Sequence, residues 1–189
     1  EAADLRGVGN LLMDLYDRPA FVEDLLARCL EVAIAFARAQ IEAGADIIGL
    51  GDAVASQISP RMYRCWAQPY ERRIFEVVRQ EGTLSRLHIC GDTSRILQEM
   101  AETGADIIDV DWMVPLNEMR KALGAEIVLA GNLDPVKAIR FGDPESIRAG
   151  VVRCHAEAGG PFMVCAGCEI PSGTPVENLK GLCSPLPAL

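Results

Sequence analysis

The sequence predicts an α/β fold of the (β/α)8 barrel kind, of which this chain supplies about the last five β-α units. Three observations predict it. Short apolar strands alternate with helical stretches and little chain lies between them, as parallel strands with crossover helices require. One segment repeats: Gly44-Ala45-Asp46-Ile47-Ile48 recurs as Gly104-Ala105-Asp106-Ile107-Ile108. Two β-α units of roughly 30 residues each would give that period. Polar residues also stand at or just beyond the ends of the strands, namely Asp52, His88, Cys90, Asp109, Asp111, Asn132, Asp134 and Cys168. Barrels spread a site over every strand end in this way, whereas open doubly wound sheets concentrate it at one switch point.

Taken in order, Pro19 suits the first turn of a helix, and apolar residues recur at helical spacing from Phe21 through Leu25, Leu26, Cys29, Ala33 and Ala37 to Ile41, ending at Gly44. Ile47–Leu50 reads as a short buried strand. Ser59-Pro60 offers an N-cap and a first-turn proline for a helix to about Gln80. Leu84–Cys90 is the next strand, and Thr93–Thr103 the next helix, closed by Gly104. Strands follow at Ile107–Val110, Glu126–Ala130 and Phe162–Ala166. Helices follow at Pro115–Leu123, Pro144–Ala158 and Pro175–Leu182, the last two capped by Asp143 and Thr174. The three remaining barrel strands are expected before residue 1, from an N-terminal half of the same polypeptide or another subunit. Residues 1–189 are then one domain, the C-terminal part of a barrel.

Composition narrows the function. The chain has 189 residues, half of them apolar, and a net charge of −9. That balance argues against nucleic acid or an anionic membrane surface as a partner, since both demand a basic face. No apolar run approaches the roughly 20 residues that span a bilayer. The seven cysteines are odd in number and scattered, so a reducing cytoplasm is expected rather than a disulfide scaffold.

His88-Ile89-Cys90-Gly91 is the most informative segment. In a strand, residues i and i+2 point to one face, so the imidazole and the thiol can reach one cation. Nitrogen and thiolate sulfur together select a borderline-soft ion such as Zn²⁺, and catalytic zinc keeps three protein ligands and an open position. Cys168, just after the last apolar strand, is the natural third ligand. Cys165-Ala166-Gly167-Cys168 is also a CxxC spacing, which can mark a redox pair or a closed four-ligand structural zinc module. Cys165 lies inside the apolar strand and is expected to pack in the core. Asp52 and Ser56 are placed at the pocket mouth, where turn and capping roles fit them equally. Asn132 and Asp134 either serve the site or build a tight turn.

Several motifs resemble the uroporphyrinogen decarboxylase superfamily: Gly51-Asp52-Ala53-Val54-Ala55-Ser56 leading to Ile58-Ser59-Pro60, Asp109-Val110-Asp111-Trp112, Gly131-Asn132-Leu133-Asp134-Pro135, and Pro171-Ser172-Gly173-Thr174-Pro175. The resemblance runs from about Arg6 to Leu182 and implies the C-terminal portion of that barrel. His88, Cys90 and Cys168 together resemble the branch of zinc-dependent, corrinoid-linked methyltransferases. That likeness implies zinc held by His88, Cys90 and Cys168, with the acidic Asp111 near the metal as a displaceable fourth ligand or as a structural aspartate. It implies a methyl-corrinoid on a carrier protein as co-substrate, a small thiol or pterin as methyl acceptor, and Asp52 and Asn132 as cofactor-side residues. The other motifs suit a metal-free porphyrinogen decarboxylase equally, so only the His-x-Cys…Cys set separates the two.

Overall fold

Apolar runs form five strands in the computed structural model, which describes residues 1–183. Residues 184–189 of the expected domain lie outside the described residues. The strands are β1 (Ile47–Gly51), β2 (Leu84–Ile89), β3 (Ile107–Val110), β4 (Val128–Leu133) and β5 (Phe162–Ala166). All are parallel and lie in the order β1-β2-β3-β4-β5. Sequence neighbours are spatial neighbours throughout, with no reversal of order. That is an arc of a barrel wall, since a doubly wound sheet would switch direction.

Among the described residues the helices are α1 (Ala2–Arg6), α2 (Val8–Asp17), α3 (Pro19–Glu42), α4 (Pro60–Trp66), α5 (Gln68–Gln80), α6 (Leu97–Ala101), α7 (Leu116–Leu123), α8 (Pro144–Ala158) and α9 (Val176–Leu182). They cover one face of the sheet. Alternate strand residues Ile48, Leu87, Ile89, Ile108, Val110, Leu129 and Leu133 are buried against Phe75 and Val78 of α5, Met100 of α6, Met119 of α7 and Val151 of α8. Each fully buried side chain of this size contributes about 1.5–3 kcal/mol. Arg86 and His88, which alternate with Leu87 and Ile89 along β2, are half-buried and face the concave side. The α3 stripe divides its duty. Ala37, Ile34 and Ile41 join the main core, while Val22, Leu25 and Leu26 pack with Leu11 of α2 in a smaller cluster. No helix is long and apolar enough to cross a membrane among the described residues.

Several expected elements are corrected. Ser59 does cap a helix, its Oγ accepting from the Met62 amide at 3.3 Å, but that helix breaks at Ala67 (φ −120°, ψ −59°). Pro69 has no N–H to continue the ladder, and it sits in the first turn of the helix that follows. The expected Thr93–Thr103 helix contracts to α6. Asp92 accepts from the Ser94 amide at 3.0 Å and from its hydroxyl, and such local bonds hold the chain in a turn. β4 runs to Leu133 rather than ending at Ala130, so Asn132 is a strand residue and not part of a turn. Asp134 then caps a π-helical turn, Pro135–Arg140, accepting from the Val136 and Lys137 amides at 2.8 and 2.9 Å. Asp143 caps α8 in a full capping box with Ser146. Thr174 caps nothing; its hydroxyl donates to the Pro171 carbonyl at 2.7 Å.

Candidate metal centre

β2 places His88 on the concave face, directly beside Gly51 of β1 and Asp109 of β3 in the parallel register. Cys90 follows just past the strand end. The turn after it is held by Gly91, whose φ of +87° favours glycine, and by the Gly91 amide donating to Asp111 Oδ2 at 2.7 Å. Cys168 arrives from β5. The Gly167 amide donates to the Leu133 carbonyl at 2.8 Å, carrying the ladder one step past the strand. Gly167 also lies so close to the β3 loop that a Cβ would sit 2.3 Å from the Trp112 amide nitrogen.

These elements bring three side chains together. His88 Nε2 lies 3.3 Å from Cys90 Sγ, and Cys90 Sγ lies 3.4 Å from Cys168 Sγ. A set of ligand atoms, one from each of the three residues, falls within 4.8 Å of one another. One imidazole and two thiols are a donor set that suits a borderline-soft ion such as Zn²⁺. Burial and the Cys168 hydrogen bond push the Cys90 thiol up to about 12. The His88 imidazole is raised to about 9, chiefly by Asp109 and against burial, with Cys168 adding to it. Protons are therefore held at Cys90 and His88, and a cation must displace them to bind.

Behind the cluster stands a buried polar chain. Asp109, 4% exposed, brings Oδ2 to 3.1 Å from His88 Nδ1. The contact has ion-pair distance but poor hydrogen-bond direction, and Nδ1 has no other partner. Arg86 donates to the same oxygen from Nη2 at 2.6 Å and Nε at 3.1 Å. Cys165 is not with the other sulfurs. Its Sγ lies 3.7 Å from Asp109 Oδ1 and 3.5 Å from Arg86 Nη2. The expectation of an apolar core position is corrected: Cys165 is partly exposed in a polar niche, and burial with Asp109 pushes its thiol up to about 12.

The remaining expected site residues sit elsewhere. Asp111 is buried outside the three-residue group; Oδ2 is spent on Gly91, while Oδ1 is buried without a partner. Asn132 clamps the β3 loop, its Nδ2 donating to the Asp111 and Val114 carbonyls at 3.2 and 2.6 Å. Asp52 shares the parity of Ile48 and Leu50 and turns to the helix layer. There it meets Glu71, whose Oε2 accepts from the Tyr63 hydroxyl. Burial and the Asp52 charge raise Glu71 to about 8, and burial raises Asp52 as well. Neither Glu71 nor Arg86 belongs to a motif of the sequence, and Asp109 stands there as a polar residue at a strand end. Strand parity carried both signals: Asp52 follows two helix-facing apolar residues, and Arg86 and His88 share a face.

Comparison with known proteins agrees with this geometry. The family model "Uroporphyrinogen decarboxylase (URO-D)" matches residues 2–185. A uroporphyrinogen decarboxylase of Nocardia farcinica is 37% identical over 144 residues, 76% of this chain and 40% of that protein. One from Nostoc punctiforme is 32% identical over 166 residues, 87% of this chain and 46% of that protein. The chain thus spans about half the length of the curated relatives it matches. Among solved structures, a methyltransferase from Methanosarcina mazei superposes with a TM-score of 0.87 at 27% identity, over 96% of this chain and 53% of that one. The five parallel strands are accordingly a partial (β/α)8 barrel with a methyltransferase neighbour, and the chain belongs to the uroporphyrinogen decarboxylase family.

Proposed function

We propose that this chain carries the metal centre of a zinc-dependent methyltransferase, which moves a methyl group from a methyl-corrinoid on a carrier protein to a small thiol or pterin acceptor. The observation that supports it is the convergence of His88, Cys90 and Cys168 within 4.8 Å on the concave face. A zinc ion, when bound, supplies Lewis-acid chemistry that lets an acceptor thiol ionise near neutral pH. The protein's part is to hold that ion. Cys90 and Cys168 bind as thiolates and His88 through Nε2, each giving up its proton to solvent on loading. Asp111 fixes the turn behind Cys90 through the Gly91 amide. Its unpartnered Oδ1 is the oxygen proposed as the displaceable fourth ligand. The three further barrel strands are proposed to come from the same polypeptide or another subunit.

A second reading, metal-free porphyrinogen decarboxylation, is favoured by the names of the curated relatives. The two separate cleanly. Full-length protein should contain close to one zinc per chain, demethylate methylcobalamin in the presence of a thiol, and lose that activity to a chelator. Metal-free protein that consumes uroporphyrinogen at an undiminished rate would overturn the methyltransferase reading.

A further inference from the structure

We propose that Asp109, pinned by Arg86, is the positioning residue that fixes the ring plane and tautomer of His88, and so sets how tightly the centre holds its metal. The inference rests on the metal reading above and assigns tasks to two residues outside the ligand set. The register makes Asp109 the direct cross-strand neighbour of His88. The two ring nitrogens are thereby divided: Nε2 faces Cys90 at 3.3 Å, and Nδ1 faces Asp109 Oδ2 at 3.1 Å. A carboxylate on one nitrogen keeps the proton there and leaves the other as a lone-pair donor.

Asp109 can do this only if it stays an acceptor while almost wholly buried. Arg86 meets that need. It lies one same-face step down β2, and its Nη2 and Nε converge on the oxygen that faces His88. A buried carboxylate without such a partner would be an uncompensated charge. Cys165 faces the other oxygen at 3.7 Å. The CxxC segment therefore contributes twice, Cys168 as ligand and Cys165 as packing for the ligand's support.

The test measures zinc affinity of full-length protein by chelator competition, together with the absorption of the Co²⁺-substituted form at saturation. Partners of this kind are worth roughly 10–100-fold in metal affinity. Asp109→Asn should weaken zinc by that range and shift the cobalt bands at full loading, which a loss of fold alone would not do. Asp109→Glu, which keeps the carboxylate, should recover part of the affinity. Arg86→Gln should weaken zinc by a smaller factor, and it serves as the test if Asp109→Asn does not fold. Wild-type protein that binds zinc, with Asp109→Asn and Arg86→Gln equal to it in affinity and spectrum, overturns the positioning role alone. Wild-type protein that binds no zinc overturns the metal reading and the positioning role with it.

Discussion

Cys165 and Cys168 belong to one CxxC segment, yet their sulfurs keep different company. Cys168 lies against Cys90, and Cys165 against Asp109 and Arg86. Cys168→Ala is therefore expected to lose most bound zinc and most methyl transfer, while Cys165→Ala keeps the metal. Equal zinc loss in the two variants, measured by elemental analysis, would instead favour a closed four-ligand site. A second prediction concerns protons. Glu71 is raised to about 8 from an ordinary 4.5, so the folded chain keeps a proton that the unfolded chain releases. Its contribution to stability thus falls as pH rises from 4.5 to 8. His88 is raised to about 9 from 6.5, so its stabilisation is complete below pH 6.5 and is lost as pH climbs through 9. Chelator-treated protein should lose melting temperature steadily between pH 5 and 9. Glu71→Gln, which mimics the protonated acid, should flatten the lower part of that slope; an unchanged slope would refute the assignment.

At the scale of elements, all five strands and the convergence of His88, Cys90 and Cys168 were legible in the sequence. Apolar runs announce buried parallel strands, and the His-x-Cys spacing matches the two-residue period of a strand. What escaped depends on contacts between elements. Pro69 divides one expected helix into two, and Asp92 shortens another through its bonds to Ser94. Its position after a strand suggests the pocket mouth for Asp52, although its parity with Leu50 sends it into the helix layer. Arg86 and Asp109 meet only through cross-strand register, which one strand's sequence does not contain. Gly167 tests the element scale directly. A side chain there meets backbone, the Trp112 amide at 2.3 Å, which has no rotamer to escape into. Gly167→Ala should cost roughly 1–3 kcal/mol and weaken zinc by displacing Cys168. A variant with wild-type melting and wild-type zinc affinity would show that β5 and the β3 loop can separate freely.

For the whole molecule, a ligand that binds only the folded state stabilises it by mass action. Zinc at 100 times its dissociation constant contributes about 2.7 kcal/mol, which raises the melting temperature by several degrees. Calorimetry of full-length protein with zinc and then with chelator should show that difference, and it should vanish in Cys168→Ala. Among the described residues β1 pairs only with β2, and β5 only with β4, so the arc has two margins of opposite kind. A parallel continuation joins the β5 margin of one copy to the β1 margin of the next, never a margin to itself. Association of residues 1–189 through these margins is therefore polar and head-to-tail. It builds open-ended chains or closed rings, the smallest ring being a dimer in which each β5 margin meets the β1 margin of the other copy.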